Sequence, residues 1–70
     1  MRGIVFINWS LPKVEIERVF DEIHSTTGVT VVSWTETFCE FEVGEQHMFN
    51  VAFHLGRVSE YNRIKQQGFF

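Results

Sequence analysis

The chain has 70 residues, one cysteine and a formal net charge of −3. This length allows one small-cored domain and is too short for a dinucleotide-binding domain or an array of repeats. A lone cysteine forms no disulfide within the chain, so a disulfide-stabilised secreted domain is excluded. Aromatic residues make up 16% of the chain, eight Phe, two Trp and one Tyr. We therefore expect a single domain over residues 1–70 whose apolar mass sits in few large side chains.

The sequence contains no segment that predicts export or membrane insertion. Only five residues separate Gly3 from Trp9, and they include Asn8, which does not fit a signal peptide. No apolar run approaches the roughly 20 residues that a membrane-spanning helix needs. We expect a cytoplasmic protein with no membrane contact.

The first part of the chain predicts a strand followed by a helix. Residues 3–9 are rich in Ile, Val and Phe and apolar on both faces, which is typical of a strand. Ser10 is a candidate N-cap, and Pro12 suits a first helical turn. Gly28 is expected to end the helix in a left-handed conformation. The apolar residues at helical spacing are Leu11, Val14, Ile16, Val19, Phe20 and Ile23.

Two further strands are predicted over residues 29–36 and 38–43. The strand over residues 38–43 alternates between an apolar face and an acidic face. Its apolar face carries Cys39, Phe41 and Val43, and its acidic face carries Glu40 and Glu42. A tight hairpin at residues 35–37 is the economical link. Because no Gly or Asn-Gly marks that turn, a single bent strand is the alternative.

The segment over residues 45–67 fits either a helix or a strand. Its helical stripe consists of Met48, Val51, Ala52, Leu55 and Val58, with Phe49 and Phe53 beside it. As a strand, its apolar and polar residues also alternate over residues 49–55. We prefer a helix because the polar residues 59–67 continue it, although Gly56 weakens it by about 1 kcal/mol. Gly68 would then end the helix before an apolar Phe69-Phe70 terminus.

The predicted order is β-α-β-β-α, which indicates an α+β protein. We expect a two-layer sandwich in which two helices cover one face of a three-stranded sheet. This order of elements resembles a ferredoxin-like fold without its last strand.

The residues do not assemble a recognisable catalytic or metal site. Cys39 lies on the apolar face of its strand, which favours a buried thiol over a nucleophile. His47 and His54 would be about 10 Å apart on one helix, too far to share a tetrahedral ion. The sequence also lacks a nucleophile elbow and a phosphate-binding glycine loop. We expect a protein that is not an enzyme and uses no cofactor or metal.

The aromatic surplus favours binding to another protein. More large apolar side chains are present than one helical layer covers, and contiguous exposed patches usually mark partner sites. The candidate partner-binding residues are Trp9, Trp34 and Phe38 on an open sheet face, Phe49 and Phe53 on the second helix, and an acidic rim of Glu36, Glu40 and Glu42. The rim would steer a basic partner surface. A homodimer through the bare edge of residues 3–9, or through the helix patch, is expected.

Base rates for very small acidic proteins indicate a stoichiometric inhibitor, an antitoxin or a phage-encoded protein that modulates its host. The alternative is a nucleic-acid-binding accessory domain that uses the basic end of the second helix. Its candidate contacts are Arg57, Arg63 and Lys65.

Overall fold

The computed structural model describes residues 1–66. In chain order its elements are β1 (Arg2–Phe6), α1 (Lys13–Thr27), β2 (Thr30–Trp34), β3 (Phe38–Glu42), a 3-10 turn (Glu45–His47) and α2 (Met48–Gln66). The α+β class and the order β-α-β-β-α are confirmed. The predicted helix end at Gly68 and the apolar Phe69-Phe70 lie outside the described residues.

The three strands form one antiparallel sheet in the order β1-β3-β2. In the register of β1 on β3, Gly3 is opposite Phe41 and Val5 is opposite Cys39. β3 is the central strand, and β1 and β2, which the long connection through α1 joins, pair with its two edges. Both β1 and β2 are edge strands among the described residues.

The start of α1 differs from the sequence prediction. Pro12 occupies the N-cap position, and no side chain caps the helix. The Ser10 hydroxyl instead bonds to the Asn8 side chain at 2.7 Å and lies 2.9 Å from the Ser59 hydroxyl on α2. The predicted end is confirmed, because Gly28 has φ of +72° and donates its N–H to His24.

A hairpin links β2 to β3, so the alternative of one bent strand is wrong. The hydroxyl of Thr35 accepts hydrogen bonds from the N–H groups of Thr37 and Phe38, at 3.2 and 3.0 Å. A threonine side chain thereby stabilises the turn without a glycine.

Residues 48–66 form a helix, so the strand interpretation of this segment is wrong. Gly56 lies inside α2, and a methyl group at its Cα would meet no atom within 4 Å. The helix tolerates this glycine because packing at Val51 and Leu55 holds α2 on the sheet.

The core lies between the sheet and the two helices. Its buried apolar residues are Leu11, Ile16, Val19, Phe20, Ile23, Val29, Cys39, Phe41, Val43, Val51 and Leu55. The rings of Phe20 and Phe41 lie 5.3 Å apart between centroids and join α1 to β3. Val14, which the helical stripe of α1 included, is exposed, and so is Phe6 on β1.

Candidate protein-interaction surface

The second face of the sheet carries no helix in the part of the chain that the structure describes. Side chains alternate along β3. Cys39 and Phe41 are buried on the helix side, and the other residues of the strand face the opposite side. In the register of β1 on β3, Gly3 and Val5 are opposite Phe41 and Cys39 on the helix side, so the other residues of β1 face the opposite side. We call this surface the open face, and its side chains from these two strands are Arg2, Ile4, Phe6, Phe38, Glu40 and Glu42.

Three apolar side chains form a contiguous patch on the open face. Phe6 and Phe38 are cross-strand partners, and their rings meet edge to face with centroids 6.4 Å apart. Ile4 lies two residues before Phe6 on the same face of β1. Ile4 is 55% exposed and Phe6 is 65% exposed, so the patch is open to a partner.

A small ion-pair network borders this patch. The guanidinium of Arg2 lies 3.6 Å from a carboxylate oxygen of Glu40 and 3.2 Å from one of Glu42. Arg2 thus offsets part of the acidic charge that the sequence predicted along β3. Because these groups are exposed, the network contributes little to stability, about 0–1 kcal/mol per pair.

The structure places Trp34 on the helix side of the sheet and not on the open face. A β-bulge between Val31 and Ser33 shifts the register, so that Trp34 is opposite Cys39. There Trp34 packs against the core, and the ammonium of Lys13 lies 5.0 Å from its ring centroid. Without the extra residue, Trp34 would have the opposite parity and would lie on the open face.

Trp9 and Glu36 lie outside the patch. Trp9 is 65% exposed in the turn after β1, and it lines a surface cavity with Pro12 and Lys65. Glu36 is exposed in the turn of the hairpin, two residues before Phe38. Of the three aromatic residues predicted for an open sheet patch, the structure brings only Phe38 to that face.

Phe49 and Phe53 form a separate patch on α2, in the layer on the opposite side of the sheet. They are 83% and 55% exposed, respectively. The guanidinium carbon of Arg57 lies 5.9 Å from the Phe53 ring centroid, and the His54 ring meets Phe53 edge to face. The two predicted patches therefore lie on different surfaces.

The basic residues of the nucleic-acid alternative do not converge. At about 100° per residue, Arg63 points about 120° away from Arg57 and about 160° away from Lys65 around α2. Arg63 is also paired with Glu60 at 3.3 Å. The helix offers no continuous basic stripe through these residues.

Sequence reasoning missed three residues of the open face: Arg2, Ile4 and Phe6. The alternation along β1 did separate Ile4 and Phe6 from Val5. The alternation alone does not show which of the two groups faces away from the helices. The register on β3 shows this, because it places Ile4 opposite Glu40 on the open face.

Within residues 1–66, no three His, Cys, Asp or Glu side chains come together in a group that could hold a metal ion. In the same residues, neither helix combines the length and apolar character of a membrane span. Burial raises the pKa of the Cys39 thiol to about 11, which keeps it protonated at neutral pH. Comparison with known proteins gave no match among protein-family models, curated proteins or solved structures.

Proposed function

We propose that this protein acts by stoichiometric binding to another protein through the open face, as an inhibitor, antitoxin or host-modulating adaptor does. The observation that supports the proposal most is the ring contact between the exposed Phe6 and the half-buried Phe38, beside the exposed Ile4. Single exposed apolar residues are ordinary, whereas a contiguous group on an uncovered sheet face favours a binding surface. Aromatic residues are also enriched in the centres of protein interfaces.

The chemistry of the open face indicates the kind of partner. Its apolar patch lies on β1 and at the Phe38 end of β3, Glu40 and Glu42 lie beside the patch on β3, and Glu36 is in the adjacent turn. Arg2 neutralises only part of that charge. We expect a partner that presents apolar side chains flanked by Lys or Arg, because this arrangement complements the patch and speeds encounter.

Site-specific photocrosslinking in the source cells tests this proposal. A photoreactive phenylalanine analogue at Phe6 or Phe38 should capture the partner, whereas the same analogue at Val14 should not. Val14 is the matched control because it is 68% exposed and lies on α1.

The captured protein is then purified and titrated by calorimetry. Phe38→Asp should weaken its binding by about 30-fold or more, the effect of losing a central interface aromatic. Equal affinity for the variant and the wild type would contradict the proposal. So would micromolar binding to DNA or RNA that weakens steeply with added salt, which is the behaviour of the nucleic-acid alternative.

A further inference from the structure

The outer edge of β1 carries a regular row of backbone groups that no strand in residues 1–66 pairs with. Met1 and Val43 exchange two backbone hydrogen bonds of 2.9 Å each. At the other end, Ile7 donates to Thr37 at 2.8 Å. Since hydrogen-bonded and non-hydrogen-bonded pairs alternate in an antiparallel ladder, the odd-numbered residues of β1 bond to β3. The residues that direct their N–H and C=O groups outward are Arg2, Ile4 and Phe6.

This edge has a defined end and differs from the edge of β2. Past β1, Asn8 forms a bridge with Leu11, with hydrogen bonds of 3.3 and 3.1 Å, and this bridge uses its outward groups. At the opposite edge of the sheet, the bulge between Val31 and Ser33 makes β2 irregular. Bulges discourage edge pairing, whereas a regular edge with unpaired backbone groups permits it. β1 is therefore the edge suited to another strand.

We propose that β1 pairs antiparallel with β1 of a second copy of this chain, in the two-fold register centred on Ile4. This register sets Ile4 opposite its own copy and Arg2 opposite the second copy's Phe6. It pairs the outward groups of all three residues on both strands, giving about six hydrogen bonds. A two-fold register displaced by one residue or more leaves some of these groups unpaired.

The side chains on the open face are complementary in the same register. Each Arg2 lies across from an aromatic ring, which favours a cation–π contact, and the two Arg2 side chains lie apart from each other. Each Arg2 also keeps its ion pairs with Glu40 and Glu42 on its own β3. The two Glu40 residues are three strand spacings apart, about 14 Å, where salt screens their repulsion. No like charges face each other across the seam.

The helix side of the edge also leaves room for the second copy. A groove of about 380 Å³ lies between β1 and α2, and its lining combines Gly3, Ala52 and Gly56 with larger apolar residues such as Phe41 and Met48. The register places the second copy's Val5 opposite Gly3, on the helix side of the seam. The ring of Phe41 covers Gly3 on this side, so the valine enters the groove beside that ring.

The dimer completes the open face. A two-fold axis perpendicular to the sheet keeps both open faces on the same side, so the two three-stranded sheets become one six-stranded sheet. The two Ile4 side chains then join the Phe6–Phe38 contacts of both copies into one apolar surface. This inference rests on the proposed function, since it names the second copy as the partner that enlarges the same site.

Disulfide cross-linking of single-cysteine substitutions tests the register. Opposed residues in a hydrogen-bonded pair have Cα atoms about 5.5 Å apart, within the range that a disulfide spans. Ile4→Cys should therefore cross-link to its copy under mild oxidation. Arg2→Cys alone and Phe6→Cys alone should not, because each would be about 13 Å or more from its own copy. A mixture of the two should cross-link as a heterodimer.

The wild type is the control for Cys39, which is fully buried and should give no cross-link. Cross-linking of Arg2→Cys or Phe6→Cys alone, or its absence for Ile4→Cys, would overturn the register.

Sedimentation equilibrium tests the dimer without using cysteine. Ile4→Lys places two ammonium groups opposite each other at the seam, and its apparent dimer Kd should rise at least tenfold. Val14→Lys makes the same kind of change on α1, away from the seam, and should dimerise like the wild type. A wild type that stays monomeric at micromolar concentrations, or an Ile4→Lys variant that dimerises unchanged, refutes the proposal.

The two proposals fail in different ways. Phe38 lies on β3, one strand from the seam, so Phe38→Asp should keep the dimer and lose the heterologous partner. If this variant dimerises and also binds the partner normally, the proposed function is wrong and the dimer stands. If the wild type is monomeric but binds through Phe38, the dimer is wrong and the proposed function stands.

Discussion

Gly3 is required at its position because of the ring packed against it. A Cβ atom built at Gly3 would lie 2.6 Å from Cζ of Phe41, closer than such atoms approach in proteins. Phe41 is only 4% exposed and contacts Phe20 in the core, so its ring has little freedom to shift. Gly3→Ala should destabilise the protein by about 1–3 kcal/mol through overpacking. Urea denaturation followed by tryptophan fluorescence measures the change.

Gly56 provides the matched substitution in open space. A Cβ there meets no atom within 4 Å, and the residue is in the interior of α2. Gly56→Ala should therefore stabilise the protein by about 0.5–1 kcal/mol, the gain in helix propensity. If Gly3→Ala and Gly56→Ala changed the free energy of unfolding by similar amounts, the contact with Phe41 would not be the reason that residue 3 is a glycine.

Cys39 should be unreactive for as long as the protein is folded. Its burial raises the thiol pKa from about 9 to about 11. At pH 8 the folded thiolate population is on the order of 100-fold lower than in the unfolded chain. Labelling with a chromogenic disulfide reagent should accordingly be slow in buffer and fast in guanidinium chloride. Fast labelling of the folded protein would contradict the burial of Cys39.

The same pKa shift predicts a pH dependence of stability. The folded thiol holds its proton at pH values where the unfolded thiol has released it. The stabilisation is therefore complete below pH 9 and is lost as the pH rises from about 9 to about 11. Denaturation midpoints at pH 8, 9.5 and 11 should fall less for Cys39→Ala than for the wild type.

Among the elements, the connection between β1 and α1 is organised around the side chain of Asn8. The carbonyl oxygen of the Asn8 side chain accepts bonds from the N–H of Ser10, its hydroxyl and the N–H of Leu11, at 2.9, 2.7 and 3.1 Å. The Ser10 carbonyl in turn accepts a bond from the Asn62 side chain on α2. This network replaces the helix cap that the sequence predicted at Ser10.

Asn8→Ala should destabilise the protein by about 1–3 kcal/mol, because the Ser10 N–H loses its acceptor, while the Ser10 hydroxyl and the Leu11 N–H each lose one of two partners. Asn8→Asp keeps an oxygen in the same position and should cost much less. Thermal denaturation of the two variants beside the wild type makes the comparison. If Asn8→Ala and Asn8→Asp have the same melting temperature, the Asn8 side chain does not stabilise this connection.

The elements show how far the sequence determined this structure and where it stopped. Periodicity located both helices and all three strands, and Gly28 marked the end of α1. The bulge in β2 could not be located, because one extra residue changes the face of Trp34 without any glycine to mark it. The register of β1 was likewise out of reach, since it depends on pairing between residues far apart in the chain, from Phe6 with Phe38 to Arg2 with Glu42. The residues predicted for the open face therefore included Phe38 but not Phe6.

At the scale of the whole molecule, the predicted dimer should make thermal stability depend on concentration. A chain of this size buries a smaller share of its surface on folding than a larger domain does, and a second copy that binds only the folded state adds to its stability. The melting temperature of the wild type should rise by several degrees from low to high micromolar concentration.

Ile4→Lys leaves the core intact, because residue 4 is exposed on the open face, and it removes the pairing at the seam. Its melting temperature should therefore be independent of concentration and equal to that of the wild type at high dilution, where both are monomers. Scanning calorimetry over a concentration series gives both curves. A flat series for the wild type would mean that β1 meets no second copy in solution, and equal slopes for both proteins would place the dimer contact away from Ile4.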